Sequence, residues 1–330
     1  MIDFAGFSPV DEQLHAPDPD DWSWNESWFF SFVDLDGGPA CTFRLGVLPN
    51  QQRAMLWCFL HVDGPGEGEW ITVEESRLAF GDLDFSRGAA YDKWALAFGS
   101  RDDEPFTNGR FTFAATGLVR SGPRAGARVP FTIDLAYRAA GDVHGSGHSD
   151  ADTAKTAYPI GRFEQPLTAT GTVTVGDRTH TVRAGAHRDK SWGPRDWRIG
   201  FLIGDLQGED RELYFVGAPA DPVPRMGGYL REGSGELVRL ACVDGHLQLD
   251  DARATVAPVH LVFETPDGER IEVDMTPVGP SVQFDMAHTC QVPEHWLYWR
   301  HLVEATVSTW ASTSERPARG WFEASRYGAT

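Results

Sequence analysis

Residues 22–33 of the chain read WSWNESWFFSFV. Large aromatic side chains stand at the even positions together with Glu26, and small polar side chains stand at most of the odd positions. Because successive side chains of a β-strand point to opposite faces, this alternation predicts a strand with one aromatic and one polar face. The aromatic face would include Trp24 and Trp28.

Similar short alternating runs recur along the 330 residues and are separated by turn-forming residues, in a chain with 35 glycines and 21 prolines. This pattern predicts an all-β fold with two barrels, or a barrel and a sandwich. We expect one domain over residues 1–183 and the second over residues 184–330. Residues 1–21 are predicted to be an irregular acidic lead-in, and a short helix is predicted near residues 294–302.

The composition argues against several classes of partner. There are 48 acidic and 29 basic side chains, a net charge of −19, whereas nucleic acids and anionic membranes attract basic surfaces. The four cysteines lack CxxC spacing, which favours free thiols in a reducing compartment over disulfides or a zinc site. Neither a signal peptide nor a run of membrane-spanning length is recognisable, so a cytoplasmic location is expected. The sequence does not indicate the oligomeric state.

Residues 187–197 read HRDKSWGPRDW and follow a predicted strand. On an extended chain His187 and Asp189 would share one face, with Arg188 and Lys190 on the other. Buried charges are costly unless they are paired. One interpretation is therefore a salt-bridged strand end capped by tryptophans, and the other is a proton-transfer site walled by indole rings.

Two further carboxylates are candidates for chemistry. A carboxyl group against indole rings loses solvation, which raises its pKa and suits it to general acid catalysis, and Glu26 has such neighbours. Alternatively, Glu26 reaches the barrel rim or pairs with an arginine. Alternation places Glu164 opposite its apolar neighbours and predicts a surface position. His144 lies in the polar stretch 139–156, which we interpret as a loop rather than a metal site. Because no metal-binding or nucleotide-binding motif is recognisable, we expect chemistry without a cofactor.

The pattern GxHRDxSWGxRDW over residues 185–197 resembles a signature of bacterial relatives of carotenoid 1,2-hydratase, a superfamily of tandem lipocalin-like proteins. The stretches 163–167 (FEQPL) and 24–29 (WNESWF) resemble the same group. This resemblance implies two lipocalin-like antiparallel β-barrels packed together around a hydrophobic cavity, and it raises Glu164 to a candidate site residue. Relatives often carry a histidine where this chain has Lys190. The role of that histidine as a proton carrier therefore does not transfer to this chain.

Together these features predict a cofactor-independent hydratase or dehydratase that acts on an alkene of an isoprenoid or terpenoid-like substrate. Asp189 is the first choice for the proton donor, with Glu26 and Glu164 as alternates. His187 would hold or deprotonate the water. A non-catalytic carrier of hydrophobic small molecules and a pericyclase or cyclase are the alternatives.

Four tryptophans are predicted to face the cationic intermediate, because aromatic faces stabilise cations. They are Trp24, Trp28, Trp192 and Trp197. We expect Arg188 and Arg195 to hold the carboxylates of Asp189 and Asp196. An arginine-paired Asp189 would be a poor acid, and in that case Glu26 would be the donor.

Overall fold

The structure is a computed structural model. It describes residues 6–62, 68–86, 88–100, 105–145, 161–195, 200–218, 223–233, 236–247, 249–250, 255–256, 259–285, 296–309 and 312–327.

The described residues form 22 strands and four short 3₁₀ helices. The strands are β1 (Trp24–Asp34), β2 (Ala40–Leu48), β3 (Arg53–Val62), β4 (Glu69–Ala79), β5 (Ala89–Tyr91), β6 (Leu96–Ser100), β7 (Asn108–Val119), β8 (Arg128–Ala139), β9 (His144–Gly145), β10 (Gly161–Val175), β11 (Arg178–Pro194), β12 (Phe201–Gln207), β13 (Arg211–Ala218), β14 (Arg225–Glu232), β15 (Val238–His246), β16 (Leu249–Asp250), β17 (Thr255–Val256), β18 (Val259–Glu264), β19 (Arg270–Pro277), β20 (Val282–Asp285), β21 (Trp296–Thr309) and β22 (Ser312–Tyr327). The 3₁₀ helices are η1 (Pro9–Glu12), η2 (Pro49–Gln51), η3 (Phe80–Asp82) and η4 (Asp92–Trp94).

The chain divides into two compact units, Met1–Asp196 and Trp197–Thr330. The sheet of the first unit runs β4-β3-β2-β1-β11-β10-β8-β7-β6-β5, with β9 beside β10 and a short pairing between β4 and β7. The sheet of the second unit runs β19-β18-β15-β14-β13-β12-β22-β21-β20, and β19 also pairs with β21, which closes a ring of strands. The predicted all-β class with antiparallel barrels is confirmed.

Two expectations about boundaries differ from the structure. The predicted domain boundary at residues 183 and 184 falls inside β11, which pairs with both β1 and β10. The structure therefore keeps the second half of β11 in the first unit. The predicted helix near residues 294–302 is wrong for residues 296–302, which begin β21 and pair with β20 and β22. Residues 294–295 lie outside the described part of the chain.

The even positions of β1 face the core of the first unit, as the alternation predicts. Phe30 and Phe32 are fully buried there among other aromatic rings. Trp22 is the exception, because it precedes β1 and is 63% exposed. Cys41 and Cys58 are free thiols in the same core, with their sulfur atoms 3.5 Å apart.

The acidic lead-in is more ordered than expected. Residues 9–12 form η1, and the Ser8 amide donates to Oδ2 of Asp11 at 2.7 Å. The predicted irregular lead-in is therefore wrong for this segment, whose contacts with the sheet are described below. Within the described ranges, no helix is both long and apolar enough to cross a membrane.

Candidate active site

Strand β11 presents two different faces to its surroundings. Ala184 and Ala186 belong to the core of the first unit, and alternation continues this inner face through Arg188, Lys190 and Trp192. The opposite face, which we call the outer face, carries His187, Asp189 and Ser191. The predicted separation of His187 and Asp189 from Arg188 and Lys190 is thus present, and each face has its own set of partners.

On the outer face, four side chains of β10 and β11 form one connected chain. The Nε2 atom of His187 lies 2.7 Å from Oε2 of Glu164. Arg162 donates from Nε to Oε1 of Glu164 at 2.5 Å and from Nη2 to Oδ2 of Asp189 at 2.8 Å. A single guanidinium group is therefore shared by two carboxylates, and one of these carboxylates also holds the imidazole.

These outer-face groups are shielded from water. The side chain of His187 is 1% exposed and that of Asp189 is 14% exposed. Burial raises the pKa of Asp189; Arg162 opposes this change, and the nearby carboxylate of Glu164 adds to it. A carboxyl group with a raised pKa at a partly accessible position is suited to act as a general acid.

A second histidine lies beside this chain. His144 is in β9, directly opposite Glu164 in the register with β10. Burial lowers its pKa to about 4, with Glu164 opposing the change and His187 adding to it. His144 is therefore neutral near neutral pH. The prediction that it lies in a loop is wrong, because pairing with β10 holds it in a strand. His148, Asp150 and Asp152, which belong to the same stretch 139–156, lie outside the described residues.

On the inner face, Lys190 is enclosed by acceptors. Its Nζ donates to Oε1 of Glu26 at 2.5 Å and to the carbonyls of Asp11 at 2.9 Å and Gln13 at 2.6 Å. Glu26 has no exposed surface. Burial lowers the pKa of Lys190, and the Glu26 carboxylate opposes this change. Glu26 is thus ion-paired with a lysine, whereas one interpretation of the sequence gave it an arginine partner or a position at the barrel rim.

Arg188 has partners other than the expected Asp189. It donates from Nε and Nη2 to Oε1 of Gln165 at 2.8 and 2.6 Å, and from Nη2 to Oε1 of Glu12 at 2.7 Å. The predicted pairing of Arg188 with Asp189 is wrong because adjacent residues of a strand point to opposite faces. Arg162 holds Asp189 instead.

Three of the four predicted tryptophans lie with Glu26 and not with Asp189. Trp24 and Trp192 pack together with Phe163, and Trp28 belongs to the core of the first unit. The structure therefore does not bring these three indoles to the outer-face acid. Trp197 and Asp196 lie outside the described residues, so the predicted pairing of Arg195 with Asp196 stays a prediction.

The sequence predictions included Glu164 as a candidate but did not include Arg162 or Glu12. Glu164 was predicted on the surface by alternation, yet it is buried because its partners His187 and Arg162 enclose it. Arg162 could have been found, since it precedes Glu164 by two positions and so shares its face. No local signal pointed to Glu12, because its contact with Arg188 joins distant parts of the chain.

Comparison with solved structures shows the fold. An ATTH-like protein from Nitrosomonas europaea matches with a TM-score of 0.62 and 15% identity, covering 99% of this chain and 98% of that one. CghA in complex with Sch210972 matches with a TM-score of 0.57 and 15% identity, covering 99% and 97%. Kievitone hydratase from Nectria haematococca matches with a TM-score of 0.50 and 9% identity, covering 97% and 93%. The chain shares the lipocalin-like two-barrel fold of these proteins.

At the level of sequence, no curated protein matches the chain. The match to a family covers residues 8–326 and is to the family described as a domain of unknown function, DUF7064. Since this match spans nearly the whole sequence, the chain belongs to the DUF7064 family.

Proposed function

We propose that this protein is a cofactor-independent hydratase or dehydratase whose substrate carries an alkene of the isoprenoid or terpenoid-like type. The observation that carries the proposal is the buried chain His187–Glu164–Arg162–Asp189, which combines a carboxyl group of raised pKa with an oriented imidazole. The names of two fold neighbours support it. One is a hydratase of kievitone, and the other binds the small molecule Sch210972.

Hydration of an alkene requires an acid and then a base. In the proposed reaction, the O–H bond of protonated Asp189 breaks as its proton adds to one alkene carbon, which leaves a carbocation at the other. Water forms a bond to the cation, and His187 accepts a proton from that water. Exchange of protons with the solvent then restores both groups. Dehydration follows the same steps in reverse.

Glu164 and Arg162 would act by holding the reacting groups. Glu164 accepts from the imidazole of His187 and fixes its orientation and tautomer, as carboxylates do in other acid–base pairs. Arg162 is shared between Glu164 and Asp189. Sharing limits how far the guanidinium can favour the ionised form of Asp189, so burial decides the direction of its pKa.

Asp189 is preferred to Glu26 as the donor because of their partners. Glu26 is fully buried, and its carboxylate is tied to Lys190. The side chain of Asp189 keeps some exposure, which a group that delivers protons to a substrate needs.

The test is incorporation of oxygen from water. The purified protein would be incubated in H₂¹⁸O with farnesol, linalool and a prenylated isoflavone, and each would also be tested for binding by tryptophan fluorescence. We expect at least one alkene that binds to gain the mass of one H₂¹⁸O, as measured by mass spectrometry. Binding with neither a gain of H₂¹⁸O nor a loss of H₂O, and with no other product, would overturn the hydratase or dehydratase and favour a carrier. An isomer of unchanged mass that contains a new ring would favour a cyclase.

A further inference from the structure

The N-terminal segment is clamped to the inner face of β11. Residues 7–15, which we call the strap, supply the carbonyls that accept from Lys190 and the Glu12 carboxylate that accepts from Arg188. Its far end is fixed as well, because His15 donates its backbone N–H to Glu26 at 2.9 Å and stacks on Trp192 at a centroid distance of 4.0 Å. The strap is thus held by Arg188, Lys190 and Trp192, whose side chains alternate along β11 with those of His187, Asp189 and Ser191.

The strap is also tied to β10, the strand that carries Glu164. Arg188 joins Glu12 of the strap to Gln165. Oε1 of Glu12 also accepts from the Phe106 amide at 2.8 Å, and Gln165 donates to the Phe106 carbonyl at 2.6 Å. These bonds form a closed network around Arg188. The network reaches β10 at Gln165, which is next to Glu164 in the sequence and lies on the opposite face of the strand.

This network lies where the ladder of β10 is interrupted. The pairing of β8 with β10 ends at Ala139 opposite Leu167, and the adjacent Pro166 has no N–H to donate. Pro166 accepts one bond from the Ala140 amide at 2.9 Å. Beyond it, the two-residue β9 is the only partner of β10 on this edge among the residues that the structure describes. The segment that carries Glu164 therefore has few backbone bonds on one side, and the Gln165 side chain bonds supplement them.

We infer that Arg188, clamped by Glu12 of the strap, is a positioning residue that fixes Glu164 and, through it, the imidazole of His187. Its role in turnover rests on the proposed function, but its effect on the geometry does not. The hydrogen bonds that Arg188 donates to Gln165 and Glu12 lie on the inner face, whereas the acid–base chain lies on the outer face. Arg188 acts through the backbone of β10 and β11, whose alternate side chains belong to the two faces.

The experiment uses two full-length variants, Arg188→Met and the milder Glu12→Gln, which removes the charge of the Glu12 carboxylate while keeping its shape. The first readout is hydrogen exchange of the backbone amides of residues 161–167, Pro166 excepted because it has no N–H. We expect exchange to speed up about tenfold, since each variant removes or weakens charge-assisted hydrogen bonds. Residues 108–119 of β7 should exchange at the wild-type rate.

The second readout is the proton NMR signal of the His187 imidazole N–H, assigned by its loss in His187→Gln. We expect this signal to shift or broaden in both variants. The matched control is Arg183→Met, which removes a cation of the same strand whose partner Asp36 is exposed. This control should leave both readouts unchanged.

Wild-type exchange at residues 161–167 and an unmoved imidazole signal in Glu12→Gln would overturn the inference, even if Arg188→Met failed to fold. Faster exchange in β7 to the same extent would also overturn it, because the effect would then be general destabilisation. Both readouts work without a substrate, so they stand apart from the ¹⁸O test. If an alkene is hydrated, kcat should fall in both variants with little change in KM.

Discussion

The two faces of β11 are both buried and both rich in charge, yet their charges are paired differently. On the inner face each cation has a carboxylate of its own, Lys190 with Glu26 and Arg188 with Glu12. On the outer face one cation, Arg162, is shared by two carboxylates. Density of charge therefore does not by itself mark a reactive site. A carboxylate that shares its counter-ion is the better candidate for a proton donor.

The largest expected effect separates the faces by activity. On a substrate found by the ¹⁸O test, Asp189→Asn should lower turnover by roughly 10²–10⁴-fold, the usual contribution of general acid–base catalysis, and should change binding little. Glu26→Gln should retain more activity, because Glu26 belongs to the inner face. Steady-state kinetics with a binding titration would check both. Loss of turnover in Glu26→Gln alone would transfer the acid role to the inner face.

The next effect separates the faces by stability. Lys190→Met leaves Glu26 buried without its cation, and breaking a buried pair in this way costs roughly 3–5 kcal/mol. The double variant Lys190→Met/Glu26→Leu should recover most of that loss, since apolar residues of similar volume can replace a buried pair. Chemical denaturation followed by tryptophan fluorescence measures both.

Arg183→Met provides the scale for that measurement. Its pair with Asp36 is exposed on both sides, and such pairs contribute about 0–1 kcal/mol. A cost for Lys190→Met no larger than that of Arg183→Met would show that the inner-face pair is not a structural clamp.

A smaller effect concerns pH and the outer face. The folded protein lowers the pKa of His144 from 6.5 to about 4, so it binds that proton less readily than the unfolded chain does. This contribution to stability is present above the unfolded pKa and is lost as the pH falls from 6.5 towards about 4. At about 1.4 kcal/mol per pKa unit, the loss is about 3 kcal/mol.

His144→Gln should lack this acid-dependent loss. Denaturation curves at a series of pH values would show the free energy of unfolding of the wild type falling more steeply than that of the variant. Parallel curves would mean that His144 is accessible to protons in the folded state.

The sequence predicted the fold well because the fold depends on local alternation. The even positions of residues 24–32 identified the aromatic face of β1, and the same rule separated His187 and Asp189 from their neighbours. Partners across strands could not be predicted in this way. The pairing of Lys190 with the carbonyls of Asp11 and Gln13 depends on how an irregular segment folds back onto β11. Short segments such as β9, which holds His144, carry too little periodicity to be recognised.

The alternation of β11 has a consequence for how this family can vary. A single residue inserted or deleted between the turn that joins β10 to β11 and Asp189 would shift every later side chain to the opposite face. The acid would then lie under the strap, and the lysine would lie on the outer face. A substitution can change one face while leaving the other intact, because replacing one side chain does not shift its neighbours to the opposite face. Diversification of the motif is therefore expected to proceed by replacement at constant length, with changes of length confined to the turns beyond the strand.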